Sequence, residues 1–200
     1  MARYTGPKDR LSRREGFDLF GKGIKLTRIN VTPGVHGPKG QMRGPSQYGK
    51  QLREKQKVKR LYGIMEKQFR GYVEKAFRTR GNTAEKLFEL LETRLDNVVY
   101  RLKFAATRPQ ARQLVSHQHI LLNGKKVNIP SYKVSVGDAI SLSAKAAALD
   151  SVKKLLEDEN VVIPEWVKRK GTIGSVVRLP KREDVVEPIT EQDIIEFYSR

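Results

Sequence analysis

An Asn-Gly pair between two short apolar runs is the feature that most restricts how this chain can fold. Asn123 and Gly124 lie between Ile-Leu-Leu and Lys-Lys-Val. Both central residues of a type I′ turn need positive φ, which Asn and Gly adopt readily. The pattern predicts a β-hairpin with Lys125 and Lys126 just after its turn. The run VGDAISL, residues 136 to 142, predicts a further strand because apolar residues alternate after a Gly-Asp turn.

A short helix is predicted immediately before the hairpin. Thr107 can cap it, and Pro109 is tolerated in the first turn, where its missing N–H would have no helical partner. Arg108 and Arg112 stand four residues apart and therefore share one ridge of the helix. The stripe expected to face the core consists of Ala111, Leu114 and Val115.

Arg108 is an unusual residue for this position, because the helix dipole disfavours a cation in the first turn. One explanation is that a phosphate binds at the helix N-terminus and the guanidinium adds a forked donor to the free backbone N–H groups. The other is a solvated arginine, tolerated at a cost of about 0.3 to 1 kcal/mol. The helix by itself does not decide between them.

The charge of the chain predicts a polyanionic partner. The formal net charge is +18, and the net charges of residues 1–45, 46–92, 93–145 and 146–200 are +7, +6, +7 and −2. Nucleic acid is the first expectation and an anionic membrane surface the second. The chain has no cysteine, which excludes disulfides and thiolate metal sites. No signal peptide or membrane span is recognisable, so a cytoplasmic protein is expected.

The first 45 residues are predicted to form a basic, Gly/Pro-rich arm. Thr32 to Pro45 contains four glycines and three prolines without apolar periodicity, which argues against a helix or a packed core. A simple linker and an arm that becomes ordered on RNA both remain open.

Residues 46 to 92 are predicted to be helical. Met65, Phe69, Tyr72, Val73, Ala76 and Phe77 recur at helical spacing and are expected in the core. The segment Gln51–Arg60 is either a solvated face or a surface for phosphates, and the excess of positive charge favours phosphates. Thr93 with Asp96 forms a T-x-x-D capping pattern, which predicts a new helix and a domain boundary.

The last quarter is predicted to contain a short helix between residues 150 and 163, a strand in TIGSVVRLP, and a terminal helix after a second T-x-x-D pattern at Thr190. Trp166 is interpreted as a packing residue, because apolar side chains flank it. The terminal helix needs a surface to pack on, and the earlier helical segment is the expected one.

Several of these segments together resemble a known family. The runs RLDNVVYRL, TRPQARQLV, LNGKKVNIPS and VGDAI are similar to the RNA-binding module named after ribosomal protein S four. The segments ARYTGPKDRLSRREG, PGVHG, QLREKQKVKRLYG, PEW and EFYSR extend the resemblance to the bacterial small-subunit ribosomal protein family of that name. Many members carry a zinc-binding Cys pair near the N-terminus, where this chain has Asp9 and Ser12, so no metal or other cofactor is expected.

The resemblance implies a primary binder of small-subunit rRNA that acts early in subunit assembly and influences decoding accuracy. It also implies ribosomal proteins S five and S three as neighbours, near the place where messenger RNA enters. No small-molecule substrate and no membrane contact are expected.

An RNA-modifying enzyme is the alternative, because pseudouridine synthases carry the same module and one of their families has its catalytic Asp in an R-L-D tripeptide like Arg94-Leu95-Asp96. Asp96 has a sufficient role as a capping residue, and no second large β-domain is recognisable. The enzyme is therefore the weaker hypothesis. His117 and His119 without a third ligand make a weak metal site.

The predicted fold class is α+β: a mainly helical domain with an inserted module of two helices on a short antiparallel sheet. The predicted segments are the arm (1–45), the helical domain (46–92, completed by 190–200), the module (93–155) and its C-terminal extension (156–189). Predicted RNA-binding residues are Arg3, Tyr4, Lys8, Arg10, Arg13, Arg14, His36, Lys39, Arg43, Lys50, Arg53, Lys57, Lys59, Arg60, Arg101, Lys103, Arg108, Arg112, His117, His119, Lys125, Lys126 and Lys133. A protein-facing acidic surface is predicted at Asp150, Glu157, Asp158, Glu159, Glu183, Asp184 and Glu187.

Overall fold

The computed structural model describes residues 4–37, 44, 46–158 and 162–199. It divides into two compact units, one formed by Met1–Ala84 with Glu187–Arg200 and the other by Glu85–Val186. The helices are α1 (Lys8–Glu15), α2 (Gln47–Leu61), α3 (Glu66–Arg78), α4 (Thr83–Glu92), α5 (Leu95–Arg101), α6 (Arg108–Ser116), α7 (Ala144–Ala147), α8 (Asp150–Glu157) and α9 (Glu191–Tyr198). The strands are β1 (Ile120–Leu122), β2 (Lys125–Lys126), β3 (Ala139–Leu142), β4 (Val167–Lys170) and β5 (Ile173–Val176).

The first unit is helical, and its terminal helix packs on α2. Gln51 Nε2 donates to Glu196 at 2.6 Å, and the rings of Tyr48 and Phe197 lie 5.6 Å apart. The N-terminal segment is not wholly arm-like, because α1 also contacts α2.

Met65 and Phe77 were expected in the core, but they are 46% and 42% exposed. The buried face of α3 is therefore narrower than predicted and consists of Phe69, Val73 and Ala76.

A carboxylate in this unit holds α2, α3 and α9 together. Glu66 accepts hydrogen bonds from Lys55 at 2.9 Å, from Lys59 at 2.8 Å and from the Tyr198 hydroxyl at 2.7 Å. Burial alone would raise the pKa of Glu66, but these three hydrogen bonds outweigh it and hold the pKa at about 2. Glu66 is therefore ionised at neutral pH and fixes the C-terminal helix to its support.

The second unit is an antiparallel sheet of five strands in the order β2-β1-β3-β5-β4, together with α5 to α8. Leu121 pairs with Lys126 across the hairpin, and Ile140 pairs with Gly174 where β3 meets β5. The segment after residue 156 thus supplies two strands of the same sheet. The predicted fold class, mainly helical with a small antiparallel sheet, is confirmed.

The core of the second unit lies between the sheet and its helices. It contains Trp166, which is fully buried as predicted, and apolar side chains of α5, α6, β1 and β3. Gly174 lies so close to Leu102 that a Cβ there would be 2.6 Å from the leucine methyl carbons. No helix in the described part of the chain is long and apolar enough to span a membrane.

The predicted capping role of Thr93 is wrong. Helix α5 begins one residue later, with Arg94 at the N-cap. The Thr93 hydroxyl instead donates to the Glu89 carbonyl at 2.7 Å, and the Thr93 carbonyl accepts from Val134 N at 2.9 Å. A contact with a distant strand-like segment has replaced the local cap.

Candidate nucleic-acid interface

The start of α6 has the predicted capped geometry. Thr107 has extended backbone angles, and its hydroxyl accepts from Gln110 N at 3.3 Å. Pro109 lies in the first turn. Ala111, Leu114 and Val115 are buried, as the stripe predicted. The helix is therefore anchored along one face, and Arg108 begins it at a defined position.

Arg108 is half-buried and held by side chains of α5. Its Nε donates to Asn97 Oδ1 at 2.9 Å, and its guanidinium lies 4.6 Å from the centre of the Tyr100 ring. A cation over an aromatic face is stabilised by the ring quadrupole. The simple solvated arginine is thus excluded, because this guanidinium has defined protein contacts.

Arg101 occupies the interior instead of the surface predicted for it. Its side chain is 8% exposed, and its Nε and Nη2 each donate at 2.8 Å to the fully buried Glu92 carboxylate. Asn97 Nδ2 also donates to Glu92, at 2.8 Å. A buried charge needs such pairing, since leaving water is costly. We therefore remove Arg101 from the set of RNA-contacting residues.

Arg112 is likewise drawn inward, toward Asp96. The Asp96 carboxylate accepts two hydrogen bonds from Arg94, at 3.0 and 2.7 Å, and Arg112 Nη1 lies 3.6 Å from it. The Arg112 side chain is 12% exposed. Arg108 and Arg112 therefore differ in environment, although they were predicted to present one ridge of two guanidiniums.

The hairpin presents two exposed lysines beyond its turn. Asn123 and Gly124 have φ of 49° and 80°, as a type I′ turn requires. The Asn123 side chain accepts from Ala139 N at 2.9 Å and donates to Asp138 at 2.8 Å. These bonds tie the turn to β3. Lys125 and Lys126 are both exposed.

The remaining predicted residues of this unit have mixed environments. His117 is exposed and His119 half-buried, with their ring centres 6.2 Å apart. Lys133 is exposed, and its Nζ lies 3.7 Å from Glu89. Lys103 is half-buried, has a φ of 57° and places its Nζ 5.6 Å from the Tyr100 ring.

Most of the predicted cations on α2 are engaged within the protein. Arg53 and Arg60 both donate to Glu15 of α1. Burial raises the pKa of Glu15, although both guanidiniums oppose that rise. Lys57 donates to the Pro188 carbonyl at 2.5 Å, and Lys59 donates to Glu66 as described above. Lys50 is exposed.

The N-terminal segment keeps several cations at the surface. Arg13 is the exception, because its Nε donates to the Val31 carbonyl at 2.9 Å. The exposed members of the predicted set are Tyr4, Lys8, Arg10, Arg14 and His36. The predicted residues Arg3, Lys39 and Arg43 lie outside the described residues.

The predicted acidic surface is only partly exposed. Asp184 accepts from both terminal nitrogens of Arg178, at 2.7 and 2.8 Å, and from Lys181 N at 2.7 Å. Burial would raise the pKa of Asp184, but the Arg178 and Lys181 bonds lower it. Glu187 is half-buried and Glu159 lies outside the described residues. The exposed carboxylates are Asp150, Glu157, Asp158 and Glu183.

Comparison with known proteins decides the family. Residues 3–92 match the ribosomal protein S4/S9 N-terminal domain, and residues 93–140 match the S4 domain. The small ribosomal subunit protein uS4 of Geotalea daltonii is 53% identical over 212 aligned residues, which cover 100% of both chains. The chain belongs to the uS4 family of small ribosomal subunit proteins. The S4-domain match coincides with α5, α6 and the strands β1 and β2.

The zinc site found in many members of the uS4 family does not fit this chain. Asp9 pairs with Lys22 at 2.5 Å, and Ser12 is buried in α1. Among the described residues, no group of three His, Cys, Asp or Glu side chains is arranged to hold a metal ion. Hydrogen bonds hold this segment instead. Asp18 accepts from Phe20 N and Gly23 N, and Arg13 donates to the Val31 carbonyl.

Sequence reasoning missed Asn97 and Tyr100 as members of the site. A signal was present, because Asn97 is a polar residue in a helix whose neighbours Leu95, Val98 and Val99 are all buried. A buried amide needs hydrogen-bond partners. The positions of those partners, on α4 and α6, could not be read from the pattern of α5 alone.

Proposed function

We propose that the protein is a structural component of the small ribosomal subunit that binds small-subunit rRNA and supports early assembly. The observation that carries this proposal is the match of the whole chain to a uS4 protein, with the S4 domain spanning the capped helix and hairpin described above. Its site of action is the small subunit of the cytoplasmic ribosome. Influence on decoding accuracy is part of the same proposal.

The geometry supports phosphate contacts at Arg108, Lys125 and Lys126. Arg108 stands at the N-terminus of α6, where backbone donors and the helix dipole favour an anion. The two lysines are exposed beyond a rigid turn. A-form RNA is recognised mostly through its phosphates, sugars and shape, which suits cations on a folded surface.

We assign no catalytic role to Asp96. Its side chain is 6% exposed and paired with Arg94. A carboxylate that attacks or deprotonates a substrate must reach it, and this one is directed into the protein. The pseudouridine synthase alternative is therefore not favoured.

Fragments of small-subunit rRNA titrated at several salt concentrations test the proposal. Selective binding is expected, with log K falling linearly with log salt by roughly 0.7 to 0.9 per neutralised phosphate. Replacing Lys125 and Lys126 with Ala should weaken binding and reduce that slope. Lys153 and Lys154, an exposed pair on α8, provide the control with the same loss of charge. Equal affinity for unrelated RNA, or equal effects of the two lysine pairs, would contradict the proposal.

The proposed protein neighbours are ribosomal proteins S five and S three, near the place where messenger RNA enters. The exposed carboxylates Asp150, Glu157 and Asp158 support this, because they would repel RNA and attract a basic protein. We propose S five as the partner of this surface.

A further inference from the structure

The amide of Asn97 connects a buried ion pair to the arginine at the start of α6. Its Oδ1 accepts from Arg108 Nε at 2.9 Å, while its Nδ2 donates to Glu92 Oε2 at 2.8 Å and to the Glu92 carbonyl at 3.1 Å. Among side chains, a primary amide supplies an acceptor and two donors at one position. Neither Asp nor Leu could make both sets of contacts.

Glu92 is itself fixed by its bidentate pair with Arg101 and by full burial. Asn97 is 2% exposed, so its amide cannot exchange these partners for water. The chain of contacts from Arg101 through Glu92 and Asn97 therefore ends on Arg108, and it defines where the Nε edge of that guanidinium lies.

Tyr100 provides a second contact for the same guanidinium. It lies one turn after Asn97 on α5, and its ring centre is 4.6 Å from Arg108 Cζ. An arginine has many rotamers in solution, and ordering such a side chain on binding reduces affinity. A guanidinium already held by a hydrogen bond at Nε and by contact with an aromatic ring has less conformational freedom to lose.

We propose that Asn97 and Tyr100 are positioning residues for RNA binding, which hold the Arg108 guanidinium in its phosphate-binding orientation before RNA arrives. This inference rests on the proposed rRNA-binding function and adds two residues that need not contact RNA. Their contribution to affinity passes through Arg108.

A double-mutant cycle on the full chain tests this dependence. The dissociation constant of the selected rRNA fragment is measured for wild type, Asn97→Ala, Arg108→Ala and the double variant. Asn97→Ala should weaken binding by about three- to tenfold, and its salt slope should stay near that of wild type because no charge is lost. In the Arg108→Ala background the same substitution should have no further effect.

Additive penalties in the two backgrounds would overturn the inference, since a merely structural Asn97 acts whether or not Arg108 is present. Unchanged affinity of Arg108→Ala or of Asn97→Ala would overturn it as well. None of these outcomes would contradict the proposed rRNA-binding function, provided that the wild type binds its fragment selectively. Non-selective binding by the wild type would overturn the function itself.

Tyr100 provides a second cycle that decides the question if Asn97→Ala does not fold. Tyr100→Leu should weaken binding, whereas Tyr100→Phe, which keeps the aromatic face, should not. The effect of Tyr100→Leu should also disappear in the Arg108→Ala background. Equal losses for Leu and Phe, or a loss that persists without Arg108, would contradict the positioning role.

Discussion

Replacement of Glu92 with Gln tests the buried network beneath α6. The carboxylate is 0% exposed and accepts hydrogen bonds from Nε and Nη2 of Arg101 and from Nδ2 of Asn97, each at 2.8 Å. Gln has nearly the same shape, but it removes the charge and directs an N–H donor toward other donors. Arg101, 8% exposed, would remain as a buried cation without its carboxylate.

The expected cost is large relative to the stability of a domain. Removing one partner of a buried ion pair costs about 3 to 5 kcal/mol, and folded domains are stable by only about 5 to 15 kcal/mol. The ratio of folded to unfolded protein should therefore fall by roughly two to four orders of magnitude. With an m-value of about 2 kcal/mol/M, the urea midpoint should fall by roughly 2 M.

Fluorescence of Trp166 is the appropriate assay, because it is the single tryptophan of the chain and lies in the core of the second unit. It reports the unfolding of that unit without a signal from the helical one. Glu165→Gln is the matched control, because Glu165 lies in the same unit as Trp166. It removes the Arg178–Glu165 pair, whose side chains are 36% and 91% exposed. Exposed pairs of this kind contribute little to stability, because water screens their charges.

A small effect would refute the reasoning. If Glu92→Gln shifted the urea midpoint no more than Glu165→Gln does, the buried network would contribute nothing beyond an exposed pair. If both variants lost several kcal/mol, the change of Glu to Gln itself, and not the burial of the pair, would be responsible.

Two further predictions concern carboxylates elsewhere in the chain. The pKa of Glu66 in the folded protein, about 2, lies below its ordinary value of 4.5, so the stability that Glu66 contributes is fully present above pH 4.5 and is lost as the pH falls toward 2. Unfolding followed by circular dichroism should show that Glu66→Gln removes this part of the pH dependence of stability. An identical dependence in the variant and the wild type would contradict the prediction. Reversal of Glu157 and Asp158 to Lys should weaken binding of ribosomal protein S five, measured by calorimetry, and leave the affinity of isolated rRNA undiminished. A loss confined to RNA affinity would contradict the assigned partner.

Local sequence patterns predicted those elements of the site whose conformation depends on interactions between neighbouring residues. Thr107 caps α6 because an extended Thr places its hydroxyl near the N–H groups of the first turn. Asn123 and Gly124 form the turn because both tolerate positive φ. Trp166 was predicted to be a packing residue from the apolar residues beside it, and it is fully buried.

The same patterns failed where a distant segment competes. Thr93 has the sequence of a capping residue, but its backbone bonds to Val134 and its hydroxyl to Glu89. Arg101 and Arg112 look like surface cations in a basic segment, but Glu92 and Asp96 bind them in the interior. Each arginine is buried because it pairs with a carboxylate many residues away in the sequence. A pattern read over a few neighbouring residues does not include that partner.

The sequence by itself determined the family, the α+β fold class, the hairpin turn and the positive character of the molecule. Backbone preferences and periodicity depend on neighbouring residues, and the formal charge is a sum over the whole chain. All three can therefore be read from the sequence. The tertiary structure decided which cations stay at the surface and which residue holds Arg108 in place. Burial and pairing of charges depend on the groups that folding brings together, and Asn97 reaches both Glu92 and Arg108 only after α4, α5 and α6 have packed.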